Sequence, residues 1–454
     1  MRDLTEGPIP NHILAMAGPI AVGLIVQTLY YIVDLYFVGQ LGPEALAGVG
    51  AAGNAMFLVI GFTQILSVGT VALVSHAAGR KDQADATLIF NQSVSLAAVF
   101  GAATLLLAYG FSDAYLNSVG ADEAMINEGR DYIFWIAPGM ALQFALAVMG
   151  SALRGTGVVK PTMIVQLLSV LSNIILAPIL IAGWGTGHPL GVAGAGLATT
   201  LSVIVAVIAL TLYFRRLEHY VGFHASMLRP RLAVWGRMLA IGLPSGGEFA
   251  LMFVYMAIIY AIIRDFGSEA QAGFGVGSRV MQSIFLPAMA IAFAAPAVAG
   301  QNFGARKPER VRATFRSAIL MSSVAMFTLT LLCQIRPELL VGAFSDDAAV
   351  VAVSVGFLQI ISWNFVCNGV IFTCSGMFQA LGNTWPALIS TATRIATFAF
   401  PALWLSRQPG FTLNHVWYLS IATIAAQAVL SVALLLWQFR KRLPPIAAPT
   451  ASPA

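Results

Sequence analysis

Two acids in this chain stand among apolar side chains on both sides. Asp34 follows Tyr30 by one helical turn and Gln27 by two in IVQTLYYIVDLYFVG, and Glu248 follows Pro244 by one turn in LPSGGEFALMFVYM. A carboxylate surrounded by hydrocarbon is costly while it is charged and unpaired, so gaining and shedding a proton, or holding a cation, is the chemistry open to it. For Asp34 the expectation is proton coupling; the plainer alternative is a structural acid paired with a helix neighbour. For Glu248 the expectation divides between an ion pair with Arg394, attraction of a cationic substrate and a second proton site. Amides inside apolar runs, Gln143, Asn368, Asn91, Gln92 and Asn364 among them, either line a cavity or tie helices together by hydrogen bonds.

Other chemistry is not encoded. Six scattered histidines, most of them at loops, assemble no nucleophile with a base and an orienter, and Cys333, Cys367 and Cys374 read as reduced core residues. No GxxxxGK[ST] loop offers an ATP site. The expectation is a protein that is not an enzyme, with no resident metal or cofactor and no nucleic-acid partner.

The elements that must carry these residues follow from composition. Of 454 residues, 58% are hydrophobic and 9% charged, with a mean hydropathy of +0.83. A soluble domain carries roughly a quarter charged residues, so the bilayer is the solvent here. Runs of about 20 apolar residues place twelve helical spans near 12–38, 46–76, 85–110, 130–152, 161–183, 192–214, 236–262, 271–299, 313–335, 354–378, 385–406 and 415–439. Of the 24 Lys+Arg, 18 fall in the loops on the side of the termini. By the positive-inside bias both termini are expected in the cytoplasm, which an even number of spans requires.

The chain also repeats itself. Pro19 corresponds to Pro244, Gly42 to Gly267, Gly79 to Gly304, Gly157 to Gly382 and Pro161 to Pro386, always at a shift of 225 residues. Chance matches would not keep one shift over some 140 residues, so duplication is the better reading. The expected organisation is a first lobe over 1–214 with helices one to six, a linker over 215–235, a second lobe over 236–442 with helices seven to twelve, and a disordered tail over 443–454. The fold class is thus an all-α membrane protein, twelve transmembrane helices in two six-helix lobes. Six is even, so the lobes enter the membrane in the same sense, a parallel repeat of the kind secondary transporters use for alternating access.

VDLYFVGQLGPEALAG (33–48), GQNFGARKPER (300–310) with its partner GRKDQAD (79–85), and RGTGVVKP (154–161) resemble the multidrug and toxic compound extrusion (MATE) family over nearly the whole chain. The resemblance implies a V-shaped cavity between the lobes and efflux of amphipathic, often cationic compounds in exchange for protons or sodium. It is closer to the DinF-like branch, whose first-helix Tyr and Asp are matched by Tyr30 and Asp34, fifth-helix Asn by Asn173 and sixth-helix threonine by Thr199. The branch commonly has an Asp where this chain has Ala177, and the NorM-like branch has a tenth-helix acid where it has Asn368. Proton coupling through Asp34, Tyr30, Asn173 and Thr199 is the expected mechanism, with Gln27, Gln143 and Asn368 as cavity residues. Sodium coupling and a lipid-precursor flippase are the alternatives. A monomer in a bacterial inner membrane, among lipids and small drugs, is the expected setting; four Lys against twenty Arg suits a GC-rich genome.

Overall fold

The computed structural model describes residues 1–118, 122–342 and 347–444, apart from the side chains of residues 31 and 55. The tail expected from residue 443 lies, from residue 445 on, outside the described residues. Every long apolar run forms a helix, because a backbone in lipid must satisfy its own N–H and C=O groups.

The first six helices are α1 (Ile9–Gly39), α2 (Pro43–Gly79), α3 (Gln83–Ser118), α4 (Glu123–Gly155), α5 (Lys160–Ile181) and α6 (Gly191–Arg216). The rest are α7 (Leu232–Ile263), α8 (Ser268–Gly304), α9 (Pro308–Ile335), the one-turn α10 (Pro337–Val341), α11 (Ala348–Ile361), α12 (Asn364–Ala380), α13 (Trp385–Leu405) and α14 (Leu413–Arg442). Among the described residues, eleven helices are long and apolar enough to span on their own, and α11 with α12 makes the twelfth as a bent pair. The tenth span, expected as one continuous helix, is therefore broken at Ser362 and Trp363, where it turns by 61°.

The repeat holds at the level of elements. α2 and α8 begin and end 225 residues apart (43 to 268, 79 to 304), as do α4 and the α11–α12 pair (123 to 348, 155 to 380). At the bend the same contact recurs in each half. Pro138 has no N–H for the Phe134 carbonyl, which instead accepts from the Tyr109 hydroxyl of α3 at 3.2 Å. Shifted by 225, Gln334 of α9 donates to the Gln359 carbonyl at 2.7 Å, and its neighbour Thr330 donates to the Ser362 carbonyl at 2.9 Å. A side chain of the preceding span thus bonds a carbonyl at equivalent places in the two halves.

The contacts divide the chain into two compact units, one of residues 1–3 and 18–242, the other of residues 4–17 and 243–454. The break does not follow the expected linker. It cuts α1 just before Pro19 and α7 just before Pro244, at positions equivalent under the repeat. The opening segment accordingly makes its bonds in the second unit: Leu4 donates its N–H to Gln301 Oε1 at 3.0 Å and accepts from Asn302 Nδ2 at 3.1 Å, while Lys307 and Arg310 hold the carbonyls of Thr5 and Gly7.

In the first unit, the segment between α6 and α7 is strapped to α3. The Gln92 amide donates to the Met227 and Arg229 carbonyls at 2.6 and 2.7 Å and accepts from the Arg231 N–H at 2.7 Å. Asn91 donates to the Gly222 carbonyl and accepts from the His224 N–H. Both amides are fully buried and bond this segment through both nitrogen and oxygen, so the cross-linking role applies to them.

Candidate functional site

Asp34 sits near the far end of α1, and the structure adds a partner that the sequence did not single out. The Tyr132 hydroxyl of α4 donates to the Asp34 carboxyl. Its other oxygen, Oδ1, is buried and has no partner. No ion pair found among the described residues includes Asp34, and those found join Arg80 to Asp85, Lys81 to Asp3, Arg130 to Asp113 and Arg264 to Asp265.

Asn173 of α5 is buried and its Nδ2 donates to the Tyr30 hydroxyl at 3.1 Å, which joins two of the expected residues. Asn173 Oδ1 and the Thr199 hydroxyl of α6 are buried without partners. Tyr30, Asp34, Asn173 and Thr199 thus belong to one unit, but Thr199 makes no bond to the other three. Its neighbour Thr200 is engaged elsewhere: its hydroxyl donates to the Trp135 carbonyl at 2.6 Å and accepts from the Gly139 N–H at 3.2 Å, bridging one rung of α4 beside Pro138. A Cβ on Gly139 would lie 2.8 Å from that hydroxyl, so glycine is what lets the bridge form. Gln27 and Gln143, expected to line a cavity, are exposed and take no part in the Asp34 cluster.

The second unit holds a different arrangement. Glu248 accepts from the Ser375 hydroxyl at 3.2 Å and the Thr391 hydroxyl at 3.4 Å, and Gln427 Nε2 donates to Thr391 at 3.1 Å. The ion pair considered for Glu248 and Arg394 is not formed. Arg394 instead lays its guanidinium over the Tyr255 ring, 4.2 Å from the centroid, and its Nε is buried without a partner. A cation over an aromatic face keeps part of its stabilisation without a carboxylate. Both charged residues line one cavity of about 160 Å³ together with Asn368, Asn364 and Gln427, walled by Met252, Met256, Met281, Phe274, Phe285 and Trp417. Asn368 Nδ2 is spent on the Asn364 carbonyl of its own helix at 3.0 Å. Ser375, Thr391 and Gln427 escaped the sequence reading because hydroxyls and amides in spans are common and carry no charge.

A family model described as MatE matches residues 19–179 and again residues 244–405. The chain belongs to the MatE family. The two matches begin at Pro19 and Pro244, the pair that marks the repeat, so each half carries the MatE pattern by itself. Relatives are similar end to end. The probable multidrug resistance protein YoeA of Bacillus subtilis is 25% identical over 92% of this chain and 90% of its own. The multidrug export protein MepA of Staphylococcus aureus is 25% identical over 96% of each. Among solved structures, a MOP superfamily transporter from Pyrococcus furiosus gives a TM-score of 0.89 at 24% identity, over 96% of this chain and 97% of that one. An outward-facing multidrug resistance MATE family transporter gives 0.90 at 23% identity over 96% and 97%. At this identity the structures establish the MatE fold: an all-α, multi-pass membrane protein of two six-helix lobes.

Proposed function

We propose that this MatE protein is a secondary active multidrug efflux antiporter of the bacterial inner membrane. It exports amphipathic, often cationic compounds in exchange for protons by alternating access, with both termini in the cytoplasm. The observation that carries the reading is Asp34: an acid on a spanning helix that belongs to no ion pair found among the described residues, with one hydroxyl donor and one oxygen left open. An intramembrane acid is retained at a cost, and movement of a proton is the use that repays it. A proton arriving on Asp34 removes the charge that Tyr132 stabilises, so the tie of α1 to α4 loosens. α1 then bends near Pro19 and bound drug is released. Export activity of the relatives and the MatE fold support the substrate class.

The decisive test is ethidium efflux in everted vesicles with the proton and sodium gradients collapsed separately. Loss of efflux with the proton gradient, and no proton-driven uptake by Asp34→Asn in reconstituted vesicles, is the expected outcome. Undiminished proton-driven transport by that variant ends the proposal.

Sodium coupling is the second reading, and one observation favours it. Asp34 Oδ1, Asn173 Oδ1 and Thr199 Oγ1 are three buried oxygens without donors, the kind of hard ligand a sodium ion takes. Ala177 supplies no further oxygen, which leaves the set small for a cation. Efflux that survives a collapsed proton gradient but not a collapsed sodium gradient selects this reading.

A further inference from the structure

The cavity of the second unit gathers charged and amide groups that the fold leaves without counterparts. Among the described residues it holds an acid in no ion pair and a base in no ion pair: Glu248 takes two hydroxyl bonds and Arg394 an aromatic face. Asn364 lines the same space, is 1% exposed, and both its side-chain nitrogen and its oxygen lack partners; Gln427 Oε1 is likewise unpartnered. Buried amides are ordinarily satisfied, because each stranded group costs about 1–3 kcal/mol. The walls are aromatic and adaptable: Phe274, Phe285 and Trp417 line the space, and Met252, Met256 and Met281 offer flexible thioethers. A volume of about 160 Å³ is close to that of a cavity able to hold one benzene ring.

We propose that the second unit contains a distinct binding site for a small zwitterion built on one aromatic ring, its cationic end at Glu248 and its anionic end at Arg394, with Asn364 and Gln427 completing its hydrogen bonds. The site rests on the second unit alone, so it stands or falls separately from proton coupling at Asp34. Opposite charges at two places in one largely apolar cavity select against ligands carrying a single charge, since those leave Glu248 or Arg394 without a counter-charge there.

The test is equilibrium binding to the full-length protein in nanodiscs, by calorimetry and by tryptophan fluorescence. Three probes share one ring: 4-(aminomethyl)benzoate, which carries both charges, benzylamine, which carries the cation, and benzoate, which carries the anion. The expected result is that the zwitterion binds at least about tenfold more tightly than either single-charge probe. Glu248→Gln is expected to erase its advantage over benzoate, and Arg394→Gln its advantage over benzylamine. Trp417→Phe is expected to lose the fluorescence response while calorimetric binding persists. Ratios between probes are unaffected by the fraction of folded molecules, so a destabilised variant still reports. Absence of binding by the wild-type protein, equal affinity for all three probes, or benzylamine matching the zwitterion would each overturn the proposal.

Discussion

The two halves share a frame and differ in what they place on it. Under the shift of 225, Tyr30 and Asn173, joined by a hydrogen bond in the first unit, become Tyr255 and Phe398, joined by ring contact at 5.0 Å in the second. Asp34 becomes Ile259, and its partner Tyr132 becomes Phe357. The reverse substitution occurs nearer the proline: Glu248 and Thr391 correspond to Gly23 and Gln166, and Gln166 fills the space a side chain on Gly23 would need. Each half thus carries one acid on its first span, at different depths, and buries apolar or neutral groups where the other half is charged. Duplication supplied the scaffold twice, and divergence assigned one copy a hydroxyl-lined carboxyl and the other an aromatic cavity.

The largest effect that would break this contrast concerns the acids. Asp34→Asn is expected to reduce proton-driven ethidium transport in reconstituted vesicles to background, whereas Ile259→Asp at the equivalent position should not restore it. Restoration would mean that the frame, and not the surrounding hydroxyl and amide, sets the function. Next in size is the strap. Gln92→Leu removes three hydrogen bonds and strands two carbonyls, a cost of about 2–4 kcal/mol read as a lower thermal midpoint of the purified protein. Its counterpart Ser317 makes no such bonds, and Ser317→Ala should fall within about 0.5 kcal/mol of wild type.

A smaller effect tests Tyr132. Tyr132→Phe keeps the ring and removes the donor to Asp34, and is expected to slow proton-driven transport about five- to tenfold, equivalent to roughly 1–1.4 kcal/mol, while ethidium binding to the purified protein holds. Unchanged transport would make Tyr132 a packing residue. Smallest is Thr200→Val, which has the same shape without the hydroxyl and unbridges one rung of α4, for about 1–2 kcal/mol of stability. The equivalent of Thr200 is Ala425, so the second half has nothing of this kind to lose.

Much of this is legible in the sequence. Lipid forces long apolar runs into helices, and so eleven spans fell close to their expected bounds, while the constant shift of glycines and prolines exposed the duplication. The break in the tenth span was hidden because Ser362, Trp363 and Asn364 include neither proline nor glycine. The contacts that accompany it come from another helix, where Gln334 and Thr330 of α9 donate to the Gln359 and Ser362 carbonyls. Tyr132 was missed for a similar reason: nothing local distinguishes a tyrosine whose hydroxyl meets an acid nearly a hundred residues earlier. The repeat itself held an unused signal. Positions where the halves disagree in polarity, such as Asp34 with Ile259 or Glu248 with Gly23, mark both candidate sites.

The exchange of helix ends between units has a consequence for synthesis. Residues 4–17 leave the ribosome long before the rest of the unit they complete, which begins at Leu243. At roughly 5–20 residues per second this leaves the opening turns of α1 waiting on the order of ten to fifty seconds for their neighbours. During that interval Leu4, Ile9, Ile13 and Met16, all buried in the finished protein, must be sheltered by lipid or by the insertion machinery. Neither half, made alone, can close its own contacts.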